Sequence, residues 1–100
     1  MIKYLAREPE VGQGYMEISN GFLRAQVENK VVAKLLLQMP QGEYISREIV
    51  SRVVLYKMAN PEISQSLDFD TIFYTLGEAQ DDEDFGTYRV PCKIFVQIKR

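Results

Sequence analysis

The chain has 100 residues, of which 46% are apolar and 26% charged, a balance typical of one globular domain spanning residues 1–100. It contains no histidine and a single cysteine, Cys92, which argues against the common zinc sites and against nucleophiles that need a histidine base. We therefore expect neither an enzyme nor a bound metal or cofactor. Since the chain has no membrane-length apolar run and no export signal, the expected location is the cytoplasm.

The net charge of −2 is the sum of three unlike segments. Residues 1–58 carry eight basic and six acidic groups, which gives +2. Residues 59–86 contain eight acidic groups and no Lys or Arg, which gives −8, and the four basic groups of residues 87–100 give +4. A surface built from the middle segment is expected to repel phosphate, whereas one built from the two outer segments is expected to attract it.

The first elements in chain order are strands. Weak alternation over residues 1–6 predicts a short strand, followed by a loop that contains Gly12 and Gly14. Residues 15–19 and 22–25 flank Asn20-Gly21, a dipeptide that tolerates positive φ at both turn positions. This pattern predicts a tight hairpin between two strands.

Helical periodicity begins near residue 29. Apolar residues at positions 32, 35, 36 and 39 recur at i, i+3, i+4 and i+7, with Asn29 placed to cap a first helix and Pro40 to end it. A second helix is expected from Ser46, whose hydroxyl would cap it, and it would end at Asn60-Pro61.

The start of the second helix also carries a hydrophobic staple pattern. Ile45 precedes the expected cap and Val50 follows it by four residues, so the two side chains are expected to pack on each other.

Residues 67–77 predict a third helix. Phe69, Ile72, Phe73 and Leu76 repeat at helical spacing, and Gly77 suits the left-handed position that follows a helix. The run 71–75 argues for a strand instead, because its residues are β-branched or aromatic.

The closing part of the chain predicts a loop and then a strand. The acidic run 81–84 with Gly86 is interpreted as a solvated loop, because it lacks the spaced oxygens and the glycine of a calcium loop. Residues 88–99 alternate between apolar and polar, with Cys92 on the apolar side as a small buried residue. Pro91 cannot donate to a ladder, so it is expected at a sheet edge or at a break between two strands.

These elements describe a single small α+β domain with N-terminal strands, three helices and a C-terminal strand or hairpin. That order is winged-helix-like, and three passages resemble OmpR/ToxR-type transcriptional regulators. They are residues 35–37 with 41–50 (Leu-Leu-Leu; Gln-Gly-Glu-Tyr-Ile-Ser-Arg-Glu-Ile-Val), residues 66–68 with Ile72 and Leu76, and residues 89–91 (Arg-Val-Pro) with Phe95. The resemblance implies that residues 67–77 form the recognition helix.

The outward positions of that helix depart from the family, which usually carries arginines there. They are Asp70, Thr71, Tyr74, Thr75 and Glu78, and none is cationic. Duplex binding relies on Lys and Arg to displace counterions, so carboxylates at the groove add repulsion. The family's wing glycine is also replaced, by residues 93–94. The usual DNA face is therefore expected to be disabled.

The leading interpretation is a non-enzymatic regulatory module that binds a protein partner with a basic surface, in transcription control or another complex. The predicted contact surface is the acidic third helix with its flanking loops, carried by Asp70, Thr71, Tyr74, Glu78, Asp81 and Asp82. In the resembling family the loop before this helix contacts RNA polymerase, which implies a polymerase or a regulator as the partner.

Two alternatives stay open. One is a winged-helix DNA-binding regulator in which Arg47, Arg89 and Lys93 contact phosphates while Thr71, Tyr74 and Thr75 lie near bases. The other is a homodimer formed through the edge of the final strand. Tyr74 is weighed equally as an interface anchor and as a core residue.

Overall fold

Two strands, three helices and three further strands follow one another in a computed structural model that describes residues 2–10, 12, 14–25, 30–37, 42–82 and 86–99. In order, they are β1 (Ile2–Tyr4), β2 (Tyr15–Ala25), α1 (Lys30–Leu37), α2 (Glu43–Ala59), α3 (Pro61–Ser64), β3 (Leu67–Leu76), β4 (Gln80–Asp82) and β5 (Thr87–Ile98). The predicted α+β class is confirmed. Within these described residues, no helix combines the length and the apolar character needed to cross a bilayer.

Strand β5 lies at the centre of a mixed sheet. The strand order is β1-β3-β5-β2, and β4 pairs with β5 beyond the end of β3. Strand β5 runs antiparallel to β2, β3 and β4, whereas β1 is parallel to β3. Because β5 is paired on both sides, it offers no free edge, and the expected dimer through the edge of the final strand is wrong for this strand.

The alternation predicted for the last strand is confirmed, and it separates two faces of the sheet. Val90, Cys92, Ile94 and Val96 are at most 1% exposed and pack with the inward residues of α1 and α2, so we call their side the helix-covered face. The residues between them belong to the opposite side, the outer face. Phe95 is 1% exposed there, so part of the outer face is also buried.

Helix α2 confirms the second predicted helix, but its start differs. The helix begins at Glu43 after Gly42, and the Ser46 N–H already donates to the Gly42 carbonyl as part of the helix. Ser46 therefore cannot be the cap. The expected staple is also wrong, because Ile45 is 4% exposed and faces the sheet while Val50 faces outward. Residues 60–61 end α2 as predicted.

Helix α1 confirms the first predicted helix, and its expected cap and stop, Asn29 and Pro40, lie outside the described residues. Among the α1 side chains that the structure describes, Ala33 is fully buried against the sheet, whereas Val32 and Leu35 are exposed.

The predicted third helix is wrong, since residues 67–76 form strand β3. Ile72 and Tyr74 are buried on the helix-covered face and Phe73 on the outer face, so apolar residues occupy both faces and mimic a helical repeat. The β propensity of residues 71–75 decides the outcome. The third helix of the fold is instead the short α3, which precedes this strand.

The predicted hairpin at Asn20-Gly21 is also wrong, because β2 runs through both residues as one strand paired with β5. Gly21 has a packing role in place of a turn. A Cβ atom built there would lie 3.4 Å from Nη2 of Arg52, which crosses over this position from α2. Long-range pairing and this close approach override the local turn preference.

Pro91 lies neither at an edge nor at a break, because β5 continues through it. Its backbone points toward the gap between β3 and β4, where its carbonyl accepts from the N–H of Gly77. No ladder hydrogen bond is lost at this position, since the neighbouring strand has just ended. In the acidic run, Asp81 and Asp82 belong to β4 and are not loop residues, and residues 83–85 lie outside the described part.

Candidate functional site

The acidic residues predicted to bind a protein do not form one surface. Asp70 and Thr71 lie in an irregular stretch of β3, and Glu78 lies beyond the other end of that strand. At about 3.3 Å per residue, the extended chain from Asp70 to Glu78 spans roughly 26 Å. Tyr74 is fully buried on the helix-covered face, which resolves its two predicted roles in favour of the core. Asp81 and Asp82 lie in β4.

The residues of the nucleic-acid alternative are partly brought together. Thr75 pairs with Lys93 across β3 and β5, so both belong to the outer face. Arg89 lies on the same face, two rows along β5. Arg47 is far from them, on the side of α2 that faces away from the sheet. Its Nη2 lies 2.5 Å from Oε1 of Glu43. Tyr74 and Thr71 do not join the group.

One half of the outer face is cationic and polar, and we call it the cationic half. Its rows across the sheet are set by the strand register. They are Gln80, Arg89 and Arg24; then Pro91 and Phe22; then Thr75, Lys93 and Asn20. Directly opposite side chains on neighbouring strands lie about 4.5–5.5 Å apart at Cβ, so the arginines and the phenylalanine form one continuous surface.

Phe22 is the exposed aromatic residue of the cationic half. Its side chain is 44% exposed, and the guanidinium carbon of Arg89 lies 5.0 Å from its ring centroid. The Nε atom of Arg89 is buried without a hydrogen-bond partner. Arg24 stands directly opposite Arg89 and also interacts with Glu48 at the strand edge. Two like charges in opposite positions repel each other, and an anion bound between them would relieve that repulsion.

A groove of about 220 Å³ adjoins these rows. The segment that follows β1 forms one wall, and the ends of β3 and the middle of β5 form the other. It is lined by Ala6, Arg7, Glu8, Asn20, Thr75, Leu76, Gly77, Pro91 and Lys93. Cations, an amide, a hydroxyl and backbone groups therefore converge there, a combination suited to an anionic ligand with polar edges.

An ion pair closes part of the groove. The Lys93 ammonium donates to Oε1 of Glu8, and this contact raises the pKa of Lys93 and keeps it charged. Glu17 is a second carboxylate close enough to act in the same direction. Lys93 is therefore a permanent cation that a phosphate would have to share with Glu8.

The other half of the outer face is aromatic and buried. Phe73 and Phe95 are 8% and 1% exposed, and Tyr15 packs edge-on against Phe73 with centroids 5.3 Å apart. The Lys3 ammonium lies 5.7 Å from the Phe73 ring. This half anchors the sheet from the outer side and leaves the cationic half as the accessible surface.

The charges of the cationic half come from the two outer segments of the sequence. Arg7 and Arg24 belong to residues 1–58, and Arg89 and Lys93 to residues 87–100. The acidic middle segment contributes the uncharged Thr75, Gly77 and Gln80 at this surface, and Asp82 lies one row beyond Gln80 on the same face. A protein with a net charge of −2 thus assembles a locally positive surface.

The edge of β2 beside this surface is covered by side chains of α2. The backbone of Phe22 points outward, since its partner Pro91 directs its own carbonyl toward Gly77. Arg52 donates to the Phe22 carbonyl, and the Arg24 N–H donates to the Glu48 carboxylate. Burial nevertheless raises the pKa of Glu48, which outweighs the opposing effect of Arg52.

The buried titratable groups on the helix-covered face are poor candidates for chemistry. Burial raises the pKa of Cys92 to about 11 and that of Tyr74 to about 12, so both stay protonated near neutral pH. Among the described residues no group of His, Cys, Asp and Glu is arranged to hold a metal ion.

Sequence reasoning missed Phe22, Arg24, Asn20 and Arg7 as site residues. The hairpin prediction divided β2 into two strands. It therefore did not place alternate residues of β2 on the same face as alternate residues of β5. For Arg7 and Arg24, the signal that could have found them is the charge of the segments, because the cations available for a positive surface lie in the two outer ones.

Comparison of the chain with protein families, with characterised proteins and with solved structures finds no match. The site is therefore interpreted from its own geometry.

Proposed function

We propose that the protein binds single-stranded nucleic acid across the cationic half of the outer face. The observation that supports this most is the exposed Phe22 ring beside Arg89, with Arg24, Lys93 and the groove around it. Single strands are held by aromatic residues that stack with bases and by cations that follow the backbone. Both elements occur here on one sheet surface.

A single strand fits this surface better than a duplex. Duplex readers insert a helix or a two-stranded ribbon into the major groove, and residues 67–76, which were expected to form such a helix, form a strand. A sheet face carrying an aromatic residue presents a platform to unstacked bases. The winged-helix resemblance stays a prediction that rests on the order of early strands, helices and a long closing strand.

A polymer also fits better than a free small molecule. The groove, at about 220 Å³, is smaller than the roughly 300–1,000 Å³ of typical small-molecule sites. Pro91, which lines it, stands opposite Phe22 on the sheet, so a ligand that occupies it would continue over the sheet toward Phe22. A chain of nucleotides could place one base or phosphate in the groove and its adjacent nucleotides over the rows of the sheet.

The test is fluorescence anisotropy with labelled deoxythymidine and uridine oligomers, repeated over a range of salt concentrations. We expect binding that weakens with salt, with a log–log slope of about −0.7 for each phosphate neutralised. Arg89→Ala should reduce the slope by about 0.7. Phe22→Ala should weaken binding about 5- to 150-fold, which corresponds to the 1–3 kcal/mol of one stacked base. A DNA duplex should bind more weakly than either oligomer.

Two further variants make the test specific. Arg47→Ala removes a cation from the opposite side of the molecule and should leave oligomer affinity unchanged. Glu8→Gln releases Lys93 from its carboxylate and should raise affinity. The proposal would be refuted if either oligomer failed to bind at low salt. It would also be refuted if Arg47→Ala and Arg89→Ala lowered oligomer affinity equally.

Contact with a protein through the acidic residues, including a role in transcription control, stays an untested prediction. The predicted contact surface was centred on an acidic helix at residues 67–77. The structure has strand β3 in that place. The apolar surface of the helices is a separate reason to consider a protein partner.

A further inference from the structure

Helix α2 carries two apolar stripes on opposite sides. Ile45, Ile49 and Val53 are 4%, 0% and 4% exposed and face the sheet. Val50, Val54 and Met58, spaced four apart in the same way, are 43%, 47% and 75% exposed. Since nine residues make two and a half helical turns, Val54 points away from the direction of Ile45.

The outward stripe lies in a wider apolar region. Tyr44 and Leu55 are 57% and 65% exposed beside it, and Ser51 is a small residue near its middle. The charged residues Glu48 and Arg52 turn toward the edge of β2 and leave this side uncharged between positions 47 and 57 along the described helix. A helix that is apolar on two sides is normally buried on both.

The ends of the same helix carry opposite charges. Glu43 lies in the first turn and Lys57 in the last turn. If two copies of α2 pack antiparallel about a two-fold axis near Val50 and Ser51, the first turn of each helix meets the last turn of the other. Glu43, which pairs with Arg47 in its own helix, then also lies near Lys57 of the second copy, and the opposed helix dipoles add a favourable term.

The geometry points to a symmetric homodimer in which the outward stripe of α2 packs antiparallel against that of a second copy. A second copy supplies an apolar stripe of the same length, a small residue at the centre and the complementary charge at each end. The contact uses the helices, so the cationic half of each outer face stays accessible. The inference is independent of nucleic-acid binding.

Sedimentation equilibrium from micromolar to millimolar concentration tests this dimer. We expect the wild type to approach twice the chain mass of 11.6 kDa as concentration rises. Val54→Glu should give a monomer at all concentrations. The matched control is Phe22→Glu, an apolar residue of similar exposure on the outer face, which should leave the dimer intact. Circular dichroism confirms that both variants are folded.

Charge exchange tests the antiparallel arrangement. Glu43→Lys alone should weaken the dimer about two- to fivefold, the range expected for one exposed ion pair, and adding Lys57→Glu should restore it. Position 51 lies near the axis, so Ser51→Cys should cross-link to itself with a short bismaleimide. The native Cys92 is buried and should stay unmodified.

A wild type that stays monomeric at millimolar concentration would overturn the inference. So would a dimer that survives Val54→Glu, because it would form through another surface such as the edge of β2. Absence of the Ser51→Cys cross-link in a dimeric sample, or failure of Lys57→Glu to restore Glu43→Lys, would overturn the antiparallel arrangement.

Discussion

The two faces of the sheet are built by the same strands but differ in what covers them. On the helix-covered face, alternate residues of β5 form a continuous apolar surface under α1 and α2. On the outer face, the intervening residues of β5 change from the buried Phe95 to the partly exposed Lys93 and Arg89 within the length of one strand. The first face holds most of the core, and the second is divided between a buried aromatic half and a more accessible cationic half.

The difference also shows how an acidic protein can present a positive surface. The middle segment, with a charge of −8, contributes the uncharged Thr75, Gly77 and Gln80 to the cationic half, and Asp82 lies one row beyond Gln80 on the same face. Strand β5 brings the basic third segment beside β2 from the basic first segment. The net charge of the chain therefore does not describe the local charge of this surface, which follows from the strands that are paired there.

The largest expected effect is a difference in stability loss between substitutions in the two halves of the outer face. Phe95→Ala removes a side chain that is 1% exposed and should lower the free energy of unfolding by about 3–5 kcal/mol. Phe22→Ala, on the same face, should cost about 1 kcal/mol or less while it abolishes most of the oligomer affinity. Urea unfolding followed by tyrosine fluorescence measures both. Similar losses of stability would show that the two halves are equally buried.

Substitution of two neighbouring residues of α2, Ile49 and Val50, gives the same comparison for the helix that covers the other face of the sheet. Ile49→Ala creates a cavity at a fully buried position and should cost about 2–5 kcal/mol. Val50→Ala, one residue later, should cost about 0.5 kcal/mol in the monomer, because its side chain faces outward. The measurement is thermal or urea unfolding at low protein concentration. An equal cost at both positions would mean that the outward stripe is already covered within the monomer.

A smaller effect is expected at the floor of the groove. A Cβ atom at Gly77 would lie 3.0 Å from Cβ of Pro91. Gly77→Ala should therefore destabilise the protein by about 1–3 kcal/mol through overpacking. Adding Pro91→Ala should recover part of that loss, and the two single variants with the double variant complete a mutant cycle. Additive losses would rule out this contact as the cause.

The smallest expected effect is a pH dependence at the edge between the two faces. Burial raises the pKa of Glu48 in the folded protein above the ordinary value of a glutamate, so the folded state binds the proton more tightly than the unfolded chain. Stability from this group is gained as pH falls through the raised pKa and is lost as pH rises. Wild type should therefore gain stability relative to Glu48→Gln when the pH is lowered from 7 toward 4.5. Parallel stability curves for the two proteins would contradict this.

The sequence predicted the elements whose pattern has one dominant period. Strand β5 alternates cleanly because its two faces differ, and α2 keeps a helical repeat over four turns. Strand β3 was mistaken for a helix because Ile72, Phe73 and Tyr74 are all buried. A strand covered on both faces loses its alternation, and periodicity alone cannot separate it from a helix.

The candidate site was less predictable than the fold. Lys93, Thr75 and Arg89 were identified, but Phe22 and Arg24 became neighbours only when β2 was found to be continuous. The interpretation of Asn20-Gly21 as a turn is a sound local inference that long-range pairing overrides, with Arg52 occupying the space above Gly21. Surfaces assembled from distant strands depend on register, which local sequence does not specify.

The central position of β5 sets the order in which the sheet is completed. It is the last strand of the described chain, and it pairs with β2, β3 and β4, for example Leu23 with Val90. During synthesis the earlier strands and helices are made before β5. Their apolar side chains that pack on β5 are therefore exposed until it is made. Contacts between residues so distant in sequence also slow folding. The sheet is therefore completed only after residues 87–98 have been added.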